Sequence, residues 1–204
     1  AGSSVVHKVN DKKSCTYCHS LHSSTEKKLL VAKAKELCFS CHNKTIPITI
    51  GSYTVTLSNI EHLNKNSKIF HPPFKKCSSA CHNPHGSNAR YLLNLPYPAD
   101  EYAPANKDSF ALCFECHDPE LLEVPTTTTA TNFRNGDKNL HYQHVKGEKG
   151  RKCTLCHSPH ATNNEHLIRD KVPYGNWEYK MNYISNENGG SCSPGCHKEK
   201  TYNR

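Results

Sequence analysis

The chain has 204 residues, enough for one or two domains, yet only 35% of them are apolar, mean hydropathy is −0.77 and the formal charge is +8. A typical globular domain is roughly 45–50% apolar, so an ordinary hydrophobic core is excluded; so polar a chain needs staples or a large apolar prosthetic group. No apolar run approaches the ~18 residues of a membrane span, and the lysines stand in runs of at most two, which argues against a nucleic-acid or membrane-surface patch.

In chain order, "AGSSVV" reads as a mature end left by signal cleavage, which implies export. "STEKKLLVAKAKELCFSCH" predicts a helix from about Thr25 to Cys41, with Leu29, Leu30, Ala34 and Leu37 on one face. "ITIGSYTVTL" alternates and breaks at Gly51–Ser52, the pattern of a small hairpin. "DSFALCFECH" predicts a short helix, and "VPTTTTATNFRNGDK" a threonine-rich loop or extended segment. The expected fold is mostly irregular loop with a few short α-helices and one small β-hairpin.

The twelve cysteines form six pairs, each followed at once by histidine: Cys15, Cys18 and His19; Cys38, Cys41 and His42; Cys77, Cys81 and His82; Cys113, Cys116 and His117; Cys153, Cys156 and His157; Cys192, Cys196 and His197. With 15 histidines in 204 residues, six such coincidences arise by chance on the order of once in 10⁷, which removes a generic disulfide framework. C-x-x-C-H is the attachment signature of c-type haem. Two thiols across a short bend can each form a thioether with a porphyrin vinyl group, and the next residue lies under the ring, where its imidazole takes one axial position on iron. The pairs at Cys77 and Cys192 have one extra intervening residue, which lengthens the loop but leaves the reacting groups the same. Tetrahedral zinc in Cys₄ or Cys₂His₂ sets is the main alternative, but it does not require histidine directly after the second cysteine.

The six motifs group in twos. The first, third and fifth carry a further histidine three places on, His22, His85 and His160, followed at a constant offset by Leu29–Leu30, Leu92–Leu93 and Leu167–Ile168. The chain therefore reads as a single haem-cored unit over 1–204, built of three two-haem repeats at about 1–60, 61–130 and 131–204. At one haem per 34 residues (204/6), the porphyrins would be the core and the peptide their wrapping. Six haems would bring about twelve propionates, turning +8 into about −4.

"CHNPHGS" followed by "LCFECH" resembles the doubled C-x-x-C-H family of multihaem cytochromes, and the resemblance covers nearly the whole chain. It implies that His7, His71 and His144, upstream of motifs one, three and five, serve as second axial ligands of those haems. His22, His85 and His160 would then serve motifs two, four and six. His141 is an alternative to His144 for the fifth haem. His62 and His166 are expected at the surface, and Met181 is expected to pack rather than ligate. Six haems clamped between imidazoles leave no iron position for substrate, so electron transfer is expected rather than enzyme catalysis. The resemblance further suggests an extracellular or cell-surface electron carrier of anaerobic respiration, meeting redox partner proteins or external acceptors. Its copies could polymerise into a filament through a histidine such as His7, His62 or His141. The alternatives are a periplasmic shuttle and a multihaem reductase with one open haem.

Overall fold

The computed structural model describes residues 2–11, 15–50, 53–174 and 177–204. The chain divides after Asn94 into two compact units, Ala1–Asn94 and Leu95–Arg204. Each holds three of the cysteine pairs, so the second of the expected sequence repeats has its halves in different units.

Short helices, short ladders and turns make up both units, as the polar, loop-rich sequence requires. In the first unit the hairpin Ile46–Ile50 against Tyr53–Leu57 pairs antiparallel, with Ile46 opposite Leu57 and Ile50 opposite Tyr53; its expected break at Gly51–Ser52 lies outside the described residues. The helix Ile60–Asn66 starts on Asn59, whose side chain accepts from the His62 amide and donates to the Asn43 carbonyl. Its first two amides, those of Ile60 and Glu61, donate to the His42 carbonyl, so the helix start is anchored on a motif histidine. His62 lies on this helix and is exposed.

The helix expected over 25–41 is cut down to Ala34–Phe39. Upstream, Lys28 and Leu29 have φ of 62° and 56°, left-handed values that no α-helix accommodates. The Ser24 hydroxyl donates to the Leu30 carbonyl and accepts from the Glu26 amide, so a side chain captures the backbone groups that a helix would have used.

The second unit has two small apolar clusters. Phe110, fully buried, packs with Leu122 and Val145, bordered by Tyr97 and Phe114. Leu155, Val172 and Met181 form the other, so Met181 packs as expected. The short helix expected around Cys113 spans Ala111–Phe114. The threonine-rich stretch is irregular, closed by a two-residue ladder of Arg134–Asn135 with Lys138–Asn139. A three-stranded antiparallel sheet, Ile184–Asn186, Gly189–Cys192 and Lys200–Asn203, ends the chain.

Candidate metal centres

One local structure occurs three times. After the first, third and fifth motifs the chain turns back so that His19 bridges Leu30, His82 bridges Leu93 and His157 bridges Ile168. At the turn stand pairs of left-handed residues, Lys28–Leu29, Tyr91–Leu92 and His166–Leu167, with φ between 53° and 62°. Ser20, Asn83 and Ser158 donate their amides to Leu29, Leu92 and Leu167 at 2.7, 2.7 and 2.8 Å. A hydroxyl from Ser24, Ser87 or Thr162 donates to the carbonyl of Leu30, Leu93 or Ile168. The carbonyls of Lys28, Tyr91 and His166 each lie 2.8 Å from Nδ1 of His19, His82 and His157. A carbonyl can only accept, so Nδ1 carries the proton and Nε2 presents its lone pair, the form in which histidine binds a metal. His197 is held the same way by the Lys198 carbonyl at 2.6 Å.

Motif histidines in both units face a second imidazole. His42 faces His7 with ring centres 6.4 Å apart and planes 11° apart, and His19 faces His85 at 6.0 Å and 20°. In the second unit His157 faces His141 at 6.2 Å and 24°, and His197 faces His144 at 6.4 Å and 51°. Two imidazoles bound to one metal from opposite sides at about 2 Å set their ring centres about 6.2 Å apart. All four spacings sit at that value. Three of these second histidines are also held by a ring hydrogen bond. His144 donates to the Leu140 carbonyl at 2.7 Å, His141 meets the Thr131 hydroxyl at 2.8 Å, and His7 donates to the Pro84 carbonyl.

These pairings differ from the expected ones. His7 was expected opposite His19 and lies opposite His42; His85, expected to serve motif four, lies opposite His19. The cause is a long-range ladder. Val5–Val6 pairs antiparallel with Gly86–Ser87, and the Asn10 side chain donates to the Pro84 and His85 carbonyls at 3.3 and 2.7 Å, so the two histidines flank one end of the ladder and serve neighbouring motifs. Likewise "HYQH" supplies both of its histidines. The π-helical turn Tyr142–Lys146 aims His141 at His157 and His144 at His197, with Phe133 packed against both rings at 5.1 and 5.6 Å. His144 had been expected opposite His157. His22 is exposed and, among the described residues, faces no second imidazole. His166 is exposed but supplies its carbonyl to His157, a role legible only in the shared position of Lys28, Tyr91 and His166.

Burial favours the neutral form of His7, His42, His141, His144 and His157. It lowers the pKa of His42, His144 and His157 below the usual value, and of His7 with help from the neighbouring His85. His141 is pushed down to about 4, by burial first and then by His157 and His144. A neutral imidazole is the metal-binding form.

The motifs also abut in sequence order within each unit. In the first unit Cys18 lies close enough to Cys41, and Cys38 to Cys77, for their charges to interact. In the second, Cys113 hydrogen bonds Cys153, and Cys156 neighbours Cys192 and Cys196. All twelve thiols are free of disulfides. Among the described residues no group of three or more His, Cys, Asp or Glu gathers into a metal cage, as zinc would need. The donor set instead fits haem c: a thiol pair beside an imidazole, held at Nδ1 in His19, His82, His157 and His197, with second imidazoles at ring-centre distances of 6.0–6.4 Å from His19, His42, His157 and His197. Buried guanidinium nitrogens of Arg134, Arg151 and Arg204, without a hydrogen-bond partner, suit anionic propionates.

The doubled CXXCH motif family matches residues 7–46, 71–121 and 144–174, more than half of the chain. The chain belongs to this family. It is a multihaem c-type cytochrome, its cysteine pairs attach covalent haem c, and electron transfer is the role that the family suggests. A multiheme cytochrome MtrA from Shewanella baltica (strain OS185) is similar, 25% identical over 166 residues. The match covers 77% of this chain and 42% of the relative, so the chain spans less than half of that protein's length. No solved structure matches. No helix among the described residues is long and apolar enough to cross a membrane.

Proposed function

We propose that the chain carries six haems, each between two imidazoles, and passes electrons along them without binding a substrate at iron. When bound, haem supplies one-electron iron chemistry. The imidazole pairs at 6.0–6.4 Å carry this reading, because each would hold one metal between two imidazoles. In these pairs the polypeptide holds at least one ring by a hydrogen bond, which leaves Nε2 free to bind, and half-buries the motif histidine. His71 and His160 are the candidates for the haems carried by His82 and His117. The contiguous cysteine pairs support a conduit in which neighbouring haems pack closely.

Haem content and spin state test this directly. The pyridine haemochrome should give six haems per chain and the oxidised spectrum should be wholly low-spin. A high-spin fraction in the wild type that binds cyanide or CO would favour a reductase with an open haem. His7→Ala should make one haem high-spin.

The carrier is proposed to work outside the cell, meeting redox proteins or external acceptors, with copies able to assemble into a filament. His7 and His141 face motif histidines and are not free to cross a junction. His22, which is exposed, faces no imidazole among the described residues and lies outside the twelve histidines assigned to iron, is the histidine left for a surface contact between copies. Electron microscopy should show filaments that His22→Ala abolishes at constant haem content. Filaments that persist in His22→Ala would remove that residue from the role, and single particles in the wild type would make the protein a shuttle.

A further inference from the structure

We infer that the thrice-repeated left-handed turn is a device that sets the reduction potential of the first haem of each pair, and that Lys28, Tyr91 and His166 are its positioning residues. The inference rests on the reading of His19, His82 and His157 as iron ligands. Two consecutive non-glycine residues in the left-handed region are strained, and such strain persists only where the surroundings over-determine it. Here they do so in the same way each time. The turn is closed by a backbone amide to the second left-handed residue and by a hydroxyl to the residue after it. Val31, Asn94 and Arg169 then donate their amides to the carbonyls of Cys18, Cys81 and Cys156 at 3.0, 2.8 and 2.8 Å, tying the turn to the attachment motif.

The product of all this bonding is one carbonyl held 2.8 Å from Nδ1 in all three copies, although the side chain above it is lysine, tyrosine or histidine. The backbone geometry, rather than the side chain, is what the three sites share. A carbonyl accepting from Nδ1–H raises the electron donation of the imidazole to its metal, which favours the oxidised iron and lowers the potential. His42, the second ligand of the first pair, meets no such carbonyl among the described residues; its own carbonyl caps the helix at Ile60. Within the first pair the turn therefore distinguishes His19 from His42.

The experiment compares Lys28→Gly with Lys28→Val in the haem-loaded full chain, followed by potentiometric titration and by the proton spectrum of the paramagnetic haems. Glycine accepts φ of 62° and should leave all potentials in place, whereas a β-branched valine rejects it and should release the carbonyl. One haem should move to higher potential in the valine variant, with haem count and low-spin character unchanged. Ser24→Ala, which removes the hydroxyl from the same turn, should shift the same haem in the same direction by less. Equal potentials in the glycine, valine and alanine variants, or a shift spread over every haem, would overturn the inference. Fewer than six haems or a high-spin wild type would instead strike the underlying ligand reading, and the same samples report both.

Discussion

Asn139→Ala tests how the second unit holds two of its proposed ligands at once. Asn139 is 1% exposed, and every polar atom of its side chain is engaged. Nδ2 donates to the Leu121 and Val124 carbonyls at 3.1 and 2.9 Å, and Oδ1 accepts from the Tyr142 amide at 3.0 Å, at the start of the turn that carries His141 and His144. Alanine removes three hydrogen bonds and leaves two carbonyls and one amide half-buried without the partner they had. At about 1 kcal/mol for each bond, plus the penalty for groups left unsatisfied, the loss should be about 3–5 kcal/mol. Guanidinium unfolding of the haem-loaded protein should show it as a lower midpoint at constant slope. The released turn should also loosen His141 and His144 together, giving a high-spin component equal to two haems. A loss below about 1 kcal/mol with an unchanged low-spin spectrum would mean that the turn is held by the metals alone, and the reasoning would be refuted.

Phe110→Ala, at a fully buried ring packed edge-on to Phe114 at 6.4 Å, should destabilise the protein by about 3–5 kcal/mol in the same assay. His166→Gly should be tolerated or stabilise by up to about 1 kcal/mol, since φ of 53° suits glycine and only the carbonyl is used; a clear loss would mean that the imidazole has a partner of its own. Burial pushes the Tyr97 phenol above its usual pKa, so its ionised form is disfavoured only in the folded state. Its contribution is therefore full below pH 10 and drains away as pH climbs through the higher folded value, an alkaline loss that a pH-dependent melt should show and that Tyr97→Phe should abolish.

Much of the chemistry was legible without coordinates, because it is local. Thioether attachment needs two thiols and an imidazole within a few residues, so six C-x-x-C-H or C-x-x-x-C-H segments announce themselves in any fold. The Leu29–Leu30, Leu92–Leu93 and Leu167–Ile168 pairs were visible as a repeat too, though their meaning as a strained turn was not. Helical periodicity ran through Leu29 and Leu30, and only the Ser24 hydroxyl and the carbonyl delivered to His19 explain why the helix waits until Ala34.

By itself, then, the sequence determined the six cysteine pairs, the histidine beside each and a composition too polar for an ordinary apolar core. Which imidazole faces which was decided only by tertiary structure. His7 reaches His42, and His85 reaches His19, because a two-residue ladder joins Val5–Val6 to Gly86–Ser87 across some eighty residues of chain. His141 and His144 part company because a π-helical turn, held by Asn139, points neighbouring side chains at different motifs. Spacing along a chain reports what its nearest residues can bond. It carries no information on where a loop closes, since closure is set by long-range pairing whose entropy varies only slowly with the length enclosed.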